Sequence, residues 1–270
     1  MMRLDTALGR PILWSYPSNR FAVIGSAVGT VLLVIIRLIG RRPVTVGNVV
    51  GAFAALFLAW AVARELDPDE NLSASIALVL AFVALLQFGF ASAWLVGGVL
   101  LGTRLIVGTV GVSVRWGDAG VLALLAAYVG YRYASWIVIA VIVVGAVMAG
   151  GRRRVPAGVM VATGGVIGLA FTNASAGFVA PSGETLAALV GVVAAIVILW
   201  NGPPPASLTD LREKSIERDR LLTGRVAATV GVVVVSFQTG FFAAVSPVAA
   251  ALLAAAAVRL VRFVQDELTE

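Results

Sequence analysis

Long apolar runs separated by short polar connections dominate the chain. About 20 apolar residues in a helix cross the hydrocarbon core of a bilayer, which is about 30 Å thick. Runs of this length flank a polar corner at residues 60–72, which carries Glu65, Asp67, Asp69 and Glu70. The pattern predicts an all-α fold, a polytopic transmembrane helical bundle.

About ten short spans follow from the runs. They are predicted at 21–39, 44–63, two within 72–112 that divide near 88–90, 119–131, 134–150, 155–171, 184–200, 225–242 and 247–264. A run of about forty residues such as 72–112 is too long for one span. Since the runs 119–131 and 134–150 are short, one long tilted helix there, and nine spans in all, is the alternative.

The spans and connections divide the chain into five parts. These are a polar tail at 1–20, a first four-span half at 21–113, linking spans at 114–154, a second four-span half at 155–264 and a tail at 265–270. The second half holds the longest connection, 201–223, which has three consecutive prolines at 203–205 followed by residues of mixed charge. It predicts a loop with a short amphipathic helix.

An internal repeat is a further hypothesis. The segments Gly51–Trp60 and Gly191–Trp200 share the glycine, an alanine pair and the final tryptophan. In the neighbouring spans, Gln87-Phe-Gly-Phe90 matches Gln238-Thr-Gly-Phe241, and Arg104-Leu105 falls opposite Arg259-Leu260. Duplication of a four-span unit would explain the match. Apolar helices of low complexity also resemble one another by chance.

Composition supports the membrane assignment. The 270 residues are 60% hydrophobic and 13% charged, whereas about a quarter of the residues in soluble domains are charged. Mean hydropathy is +1.00. The chain contains no cysteine and no histidine, so disulfides, thiolate ligands and the commonest general base are excluded. No cofactor is predicted.

The net charge of +6 comes from arginine, because Lys214 is the only lysine. The arginines lie at the ends of apolar runs, which is the arrangement that orients spans and meets anionic lipid headgroups rather than nucleic acid. The densest cluster, 152–154, is therefore predicted to be cytoplasmic. We expect a multi-pass protein of the cell membrane with both termini in the cytoplasm, although Arg37, Arg41 and Arg42 would then lie outside.

The polar corner has the residues of a helix start. Asp67 at the N-cap, Pro68 at the first position and Glu70 three residues after the cap predict a capping box. Asp67-x-Asp69-x-Asn71 also begins like a calcium loop, but the required glycine and the final glutamate are absent. A magnesium ion on Asp67 and Asp69 that bridges a lipid diphosphate is the alternative.

Two glutamine-glycine pairs are the candidates for a substrate pathway. Gln87 precedes Gly89 and Gln238 precedes Gly240, each by two residues, in a predicted span centre or break. Such glycines open the helical backbone of carriers while the amide offers a donor and an acceptor. The structural alternative is a hydrogen bond between helices.

Arg104 and Asn48 complete the candidate pathway. Arg104 is the deepest charge in a predicted span, and charges there commonly mark a pathway. The alternative is a structural ion pair or a side chain that extends to the membrane surface. Asn48 has the same two interpretations as the glutamines.

Glycines four residues apart predict close helix packing. Such pairs are Gly25 with Gly29, Gly47 with Gly51, Gly98 with Gly102, and Gly164 with Gly168.

Three functions agree with these features. The leading hypothesis is a carrier or permease that moves a small solute between two four-helix halves. The second is a non-catalytic membrane subunit or scaffold whose loop 201–223 binds a cytoplasmic or membrane protein partner. The third is a divalent-ion-dependent enzyme that modifies lipids with the acids of the polar corner. A cavity that reaches Gln87 and Gln238 would favour the carrier, and a solid bundle would favour the scaffold.

Overall fold

The protein is a bundle of helices. The computed structural model describes residues 6–9, 12–174, 178–200, 202, 204–239 and 242–268. Within them lie ten α-helices: α1 Pro17–Ile39, α2 Val46–Leu66, α3 Asn71–Phe88, α4 Ala93–Val107, α5 Trp116–Tyr133, α6 Trp136–Ala149, α7 Arg154–Ala170, α8 Gly183–Trp200, α9 Arg218–Thr239 and α10 Ser246–Glu267. Two 3-10 turns, Gly151–Arg153 and Phe242–Val245, precede α7 and α10.

Six of these helices are long and apolar enough to cross a membrane, namely α1, α2, α3, α8, α9 and α10. Two more, α4 and α6, are apolar but shorter. The predicted all-α membrane bundle is therefore confirmed in its class, while the structure by itself does not establish ten crossings.

The structure divides the long apolar stretches at the predicted places. Residues 72–112 hold α3 and α4, and α3 ends at Gly89, whose φ of +99° is a conformation that favours glycine. Residues 114–150 hold two helices rather than one, because the chain turns at Ala134 with a left-handed φ of 49°. Ser182 caps α8, since its Oγ accepts a hydrogen bond from the Thr185 amide at 3.3 Å.

The helix ends collect at two ends of the bundle. At the charged end, α2, α4, α6, α8 and α10 finish and α3, α5, α7 and α9 begin, and ion pairs and hydrogen bonds join these termini. At the opposite end, the Ser92 amide donates to the Ala244 carbonyl at 3.1 Å and the Val179 amide donates to the Phe237 carbonyl at 2.7 Å. Successive helices therefore run in alternating directions.

Glycines allow the closest helix contacts. A Cβ at Gly98 or Gly102 of α4 would lie 2.6 Å from the side chain of Val138 or Val141 of α6. On α7, a Cβ at Gly164 or Gly168 would overlap the α5 backbone. These two glycine pairs confirm the predicted close packing, because only hydrogen at Cα leaves room for the neighbouring helix. The prediction is wrong for Gly47 with Gly51, since nothing lies within 4 Å of a Cβ at Gly51.

The helix predicted within 201–223 is wrong for the residues that the structure describes. Residues 204–217 are irregular, apart from one isolated antiparallel bridge between Leu208 and Ser215. Helical structure starts only at Arg218, where α9 begins. This loop is held by hydrogen bonds to Asp69 and Thr109 in neighbouring loops.

The four-span duplication is not confirmed. Helix α1 packs against α2 and α3, so its proposed counterpart α7 should pack mainly against α8 and α9. Instead, the main partners of α7 are α5 and α6. The sequence similarity thus does not correspond to a repeated packing arrangement.

Candidate functional site: a buried ion network

The polar corner is a turn that faces the protein interior. Helix α2 ends at Leu66, and the Glu70 amide donates to the Asp67 carbonyl at 3.2 Å across a turn with Pro68 in its second position. Helix α3 starts only at Asn71 with no side-chain cap. The capping-box prediction is therefore wrong, because the Asp67 carboxylate is directed to other partners.

Glu65 and Arg104 form the first buried ion pair. Arg104 Nε donates to Glu65 Oε1 at 2.8 Å, and the two side chains are 9% and 0% exposed. The Thr109 hydroxyl donates to the other carboxylate oxygen, and an Arg104 terminal nitrogen donates to the Leu8 carbonyl at 2.7 Å. Of the alternatives for Arg104, the structure shows a structural ion pair, which joins the last turns of α2 and α4.

Asp67 forms the second buried ion pair. Its carboxylate accepts a hydrogen bond from Arg259 of α10 at 2.9 Å and another from the Ser73 hydroxyl of α3 at 2.7 Å. Asp67 is fully buried. This pair links the corner between α2 and α3 to α10, so it connects the two predicted halves of the chain.

Arg225 on α9 is bound by helix ends rather than by a carboxylate. Its guanidinium donates to the Leu66 carbonyl at 2.8 Å and to the Leu199 carbonyl at 2.7 Å, and the residue is 2% exposed. These carbonyls terminate α2 and α8, where the helix dipoles carry partial negative charge. Two helix termini thus stabilise one buried cation.

Arg220 repeats this arrangement at the end of α4. It donates to the carbonyls of Leu105 and Ile106 at 2.8 and 2.7 Å. Gly108 follows with a φ of +76°, and a Cβ there would lie 2.9 Å from the guanidinium. The glycine therefore lets the arginine reach the helix end.

Asp69 holds the long loop. Its carboxylate accepts hydrogen bonds from the amides of Ala206 at 3.1 Å and Ser207 at 2.8 Å. Burial opposes ionisation, but hydrogen bonds from the Ser207 side chain and these two amides, with the Arg259 charge, outweigh it and hold the pKa of Asp69 below its usual value. Farther along, the Asp210 amide donates to the Thr109 carbonyl at 3.0 Å.

Two further acids of the charged end, Glu70 and Asp118, also have partners. Glu70 pairs with Arg262 at 2.7 Å, and the arginine side chain is 61% exposed. Asp118 accepts hydrogen bonds from the Thr6 hydroxyl at 2.5 Å and from the Ala7 amide at 3.3 Å, which attaches the N-terminal segment to α5. Ala7 is 1% exposed.

The carboxylates of the two predicted metal ligands, Asp67 and Asp69, already bind other groups of the protein. Asp67 is bound to Arg259 and Ser73, while Asp69 is bound to backbone amides. In the described part of the chain, no group of three or more histidine, cysteine, aspartate or glutamate residues could hold a metal. The acids stabilise packing between helices.

The predicted pathway residues do not form one site. Gln87 is exposed in the last turn of α3, and Gly89 ends that helix, so neither occupies a span centre. Gln238 lies in the last turn of α9 with 6% exposure, where its Oε1 accepts a hydrogen bond from the Ser135 hydroxyl at 3.3 Å. Within the part of the chain that the structure describes, its side-chain amide nitrogen has no hydrogen-bond partner. Gly240 lies outside the described residues.

Asn48 caps a helix. Its backbone amide donates to Thr45 Oγ1 at 3.2 Å, and its side-chain Oδ1 accepts a hydrogen bond from the Thr45 backbone amide at 3.0 Å. Together these bonds form a capping box at the start of α2. This contact uses the side-chain oxygen that the pathway hypothesis assigned to a solute.

Sequence reasoning missed Arg225 and Thr109. Arg225 begins a predicted span, and the sequence analysis assigned it no partner. Four acids close together in the corner nevertheless imply nearby cations. No local pattern indicated Thr109, because its contact with Glu65 joins residues that are distant in the chain.

Comparisons with protein-family models, curated protein sequences and solved structures find no match to this chain.

Proposed function

We propose that the protein is an integral membrane protein in which all ten helices cross the bilayer. Six helices have the length and hydropathy of spans, and the alternation of helix ends supports the same course for the other four. Helices α4 and α6, with 15 and 14 residues, reach only about 22 Å and 21 Å. Because both pack among other helices, the surrounding protein accommodates their short length.

The charged end lies in the cytoplasm in this proposal. It carries Arg104, Arg259 and the cluster 152–154, and the excess of arginine marks the cytoplasmic side. Arg37, near the opposite end, is the clearest exception. Its guanidinium carbon lies 4.1 Å from the ring centroid of Phe90, and this cation–π contact stabilises the charge locally.

Within the membrane, the role that the geometry supports best is that of a non-catalytic subunit or scaffold. The observation that carries this proposal is that the candidate pathway residues do not line a common cavity. Gln87 is exposed whereas Gln238 is buried, and two grooves of the described chain lie on the outside of the bundle, between α8 and α9.

The loop at 204–217 is the proposed contact with a cytoplasmic partner. Asp69 and Thr109 hold its backbone in place, while Arg212, Glu213 and Lys214 remain exposed. A loop that is already ordered loses little conformational entropy on binding.

A carrier is the second candidate, and one observation favours it. The Asp67–Arg259 pair joins the first half to the second at a single end of the bundle. Carriers need a closure of this kind, which forms and breaks as access alternates. The buried side-chain amide nitrogen of Gln238, which has no hydrogen-bond partner among the described residues, would supply a donor to a solute.

Single cysteines distinguish these functions, because the native chain has none. Ser135→Cys and Ser236→Cys place a thiol at fully buried positions. If the bundle is a solid scaffold, neither thiol should react with a membrane-impermeant maleimide in intact cells or inverted vesicles. Both thiols should react fully after denaturation. Labelling of either thiol in the native membrane would contradict the scaffold and support an aqueous route. Ser215→Cys, in the exposed loop, is the control for reagent access.

A further inference from the structure

Two shallow grooves lie along the seam between α8 and α9. The first, near the charged end, has a volume of about 360 Å³ and is lined by Ile196, Val197, Trp200, Val226, Thr229 and Val230. The second has about 290 Å³ and lies toward the opposite end, between Leu186 and Phe237. In the first groove the only hydroxyl, that of Thr229, donates to the Arg225 carbonyl, so the lining is apolar in character.

The two grooves match the two leaflets of a bilayer. Helix α8 has 18 residues and extends about 27 Å, which is close to the hydrocarbon thickness of about 30 Å. The first groove is lined by residues 196–200 of this helix, all in the half next to the charged end, and the second by residues 186–193. A lipid chain from one leaflet is therefore a better fit to the first groove than a helix that crosses both leaflets.

The end of the first groove has the chemistry of a headgroup site. Trp200 is 52% exposed, and tryptophan is common at the membrane surface. The exposed Arg218 donates to the Trp200 carbonyl at 3.4 Å, which keeps its guanidinium next to the groove. Arg218 is also the first residue of α9, where the helix dipole favours an anion.

We propose that the first groove binds one acyl chain of an anionic phospholipid from the leaflet at the charged end, with the lipid phosphate on Arg218. This inference rests on the proposed membrane insertion. Arginine binds phosphate through charge-assisted hydrogen bonds. Glu217 and Asp219 are exposed on either side of Arg218 and reduce the local positive charge. The Glu217 carboxylate should therefore weaken lipid binding.

Native mass spectrometry of protein released from membranes with equal amounts of phosphatidylglycerol and phosphatidylcholine tests the site. We expect one retained phosphatidylglycerol. Arg218→Gln should lower this retention about fivefold, the factor that corresponds to ~1 kcal/mol for a basic residue at an anionic membrane surface. Val197→Trp should lower it by filling the groove, whereas Glu217→Gln should raise it.

Matched controls separate the site from general effects. Val28→Trp adds the same bulk to an exposed position of α1, and Arg212→Gln removes an exposed charge from the loop, so both should retain lipid like the native chain. Any of three results would overturn the proposal. The protein could retain both lipids equally, the variants Arg218→Gln and Val197→Trp could retain lipid like the native chain, or a second polypeptide could be bound in place of lipid. Failure of membrane insertion would appear separately, as protein that leaves membranes without detergent.

Discussion

At the scale of single residues, the buried charges of the charged end are stabilised in two ways. Glu65 and Asp67 each pair with an arginine and a hydroxyl, whereas Arg225 binds the carbonyl ends of two helices. A buried charge without a partner carries a large desolvation cost, so each contact constrains the helices that supply it. The network therefore holds together α2, α3, α4, α8, α9 and α10.

Removing one member of a buried pair tests this network. Asp67→Asn should lower the free energy of unfolding by about 3–5 kcal/mol, because Arg259 stays buried without its counter-charge. Thermal unfolding of detergent-solubilised protein measures the change. The double variant Asp67→Leu with Arg259→Leu should recover much of the loss.

The pair of Glu70 and Arg262 is the matched control, since the arginine is mostly exposed. Glu70→Gln should cost no more than about 1 kcal/mol. If Asp67→Asn and Glu70→Gln shift the unfolding temperature equally, burial does not set the strength of these contacts.

At the scale of helices, small residues decide which elements pack closely. The glycines of α7 lie directly on the α5 backbone, and those of α4 lie on α6. The contacts with α4 explain how the short helix α6, which has no charged residue, packs in the interior. In lipid, such close backbone packing replaces the hydrophobic driving force that would act in water.

Alanine substitutions at two helical glycines should have opposite effects. Gly168→Ala should destabilise the bundle by about 1–3 kcal/mol, because its Cβ would overlap the Ala127 carbonyl of α5. Gly97→Ala should be neutral or stabilising by up to about 1 kcal/mol, because nothing lies within 4 Å of its Cβ and alanine favours the helix. Thermal unfolding of both variants in one detergent compares them. Stable Gly168→Ala protein would show that α5 and α7 separate easily.

At the scale of the whole molecule, the alternating helices and the distribution of arginine are the basis of the proposed membrane topology. The loops at the charged end carry most of the basic residues, and those at the opposite end carry few. In the proposed membrane insertion, this asymmetry would place the charged end in the cytoplasm, because short basic loops prefer that side.

Reporter fusions check the orientation. A fusion after Pro204 should be active with a cytoplasmic reporter such as a fluorescent protein, and a fusion after Gly183 should be active with a reporter that works only outside. The two positions flank α8, so they are predicted on opposite sides. The reverse pattern would invert the topology, and equal activity at both sites would remove α8 as a span.

The sequence by itself determined the helical membrane class and most helix positions, because length and hydropathy act locally along the chain. It also identified the acidic corner at 65–70 as a central element. It did not determine which cations meet those acids, since Arg104, Arg225 and Arg259 come from distant helices. Only the tertiary structure decided that these charges close one end of the bundle, because burial and pairing depend on how the helices pack.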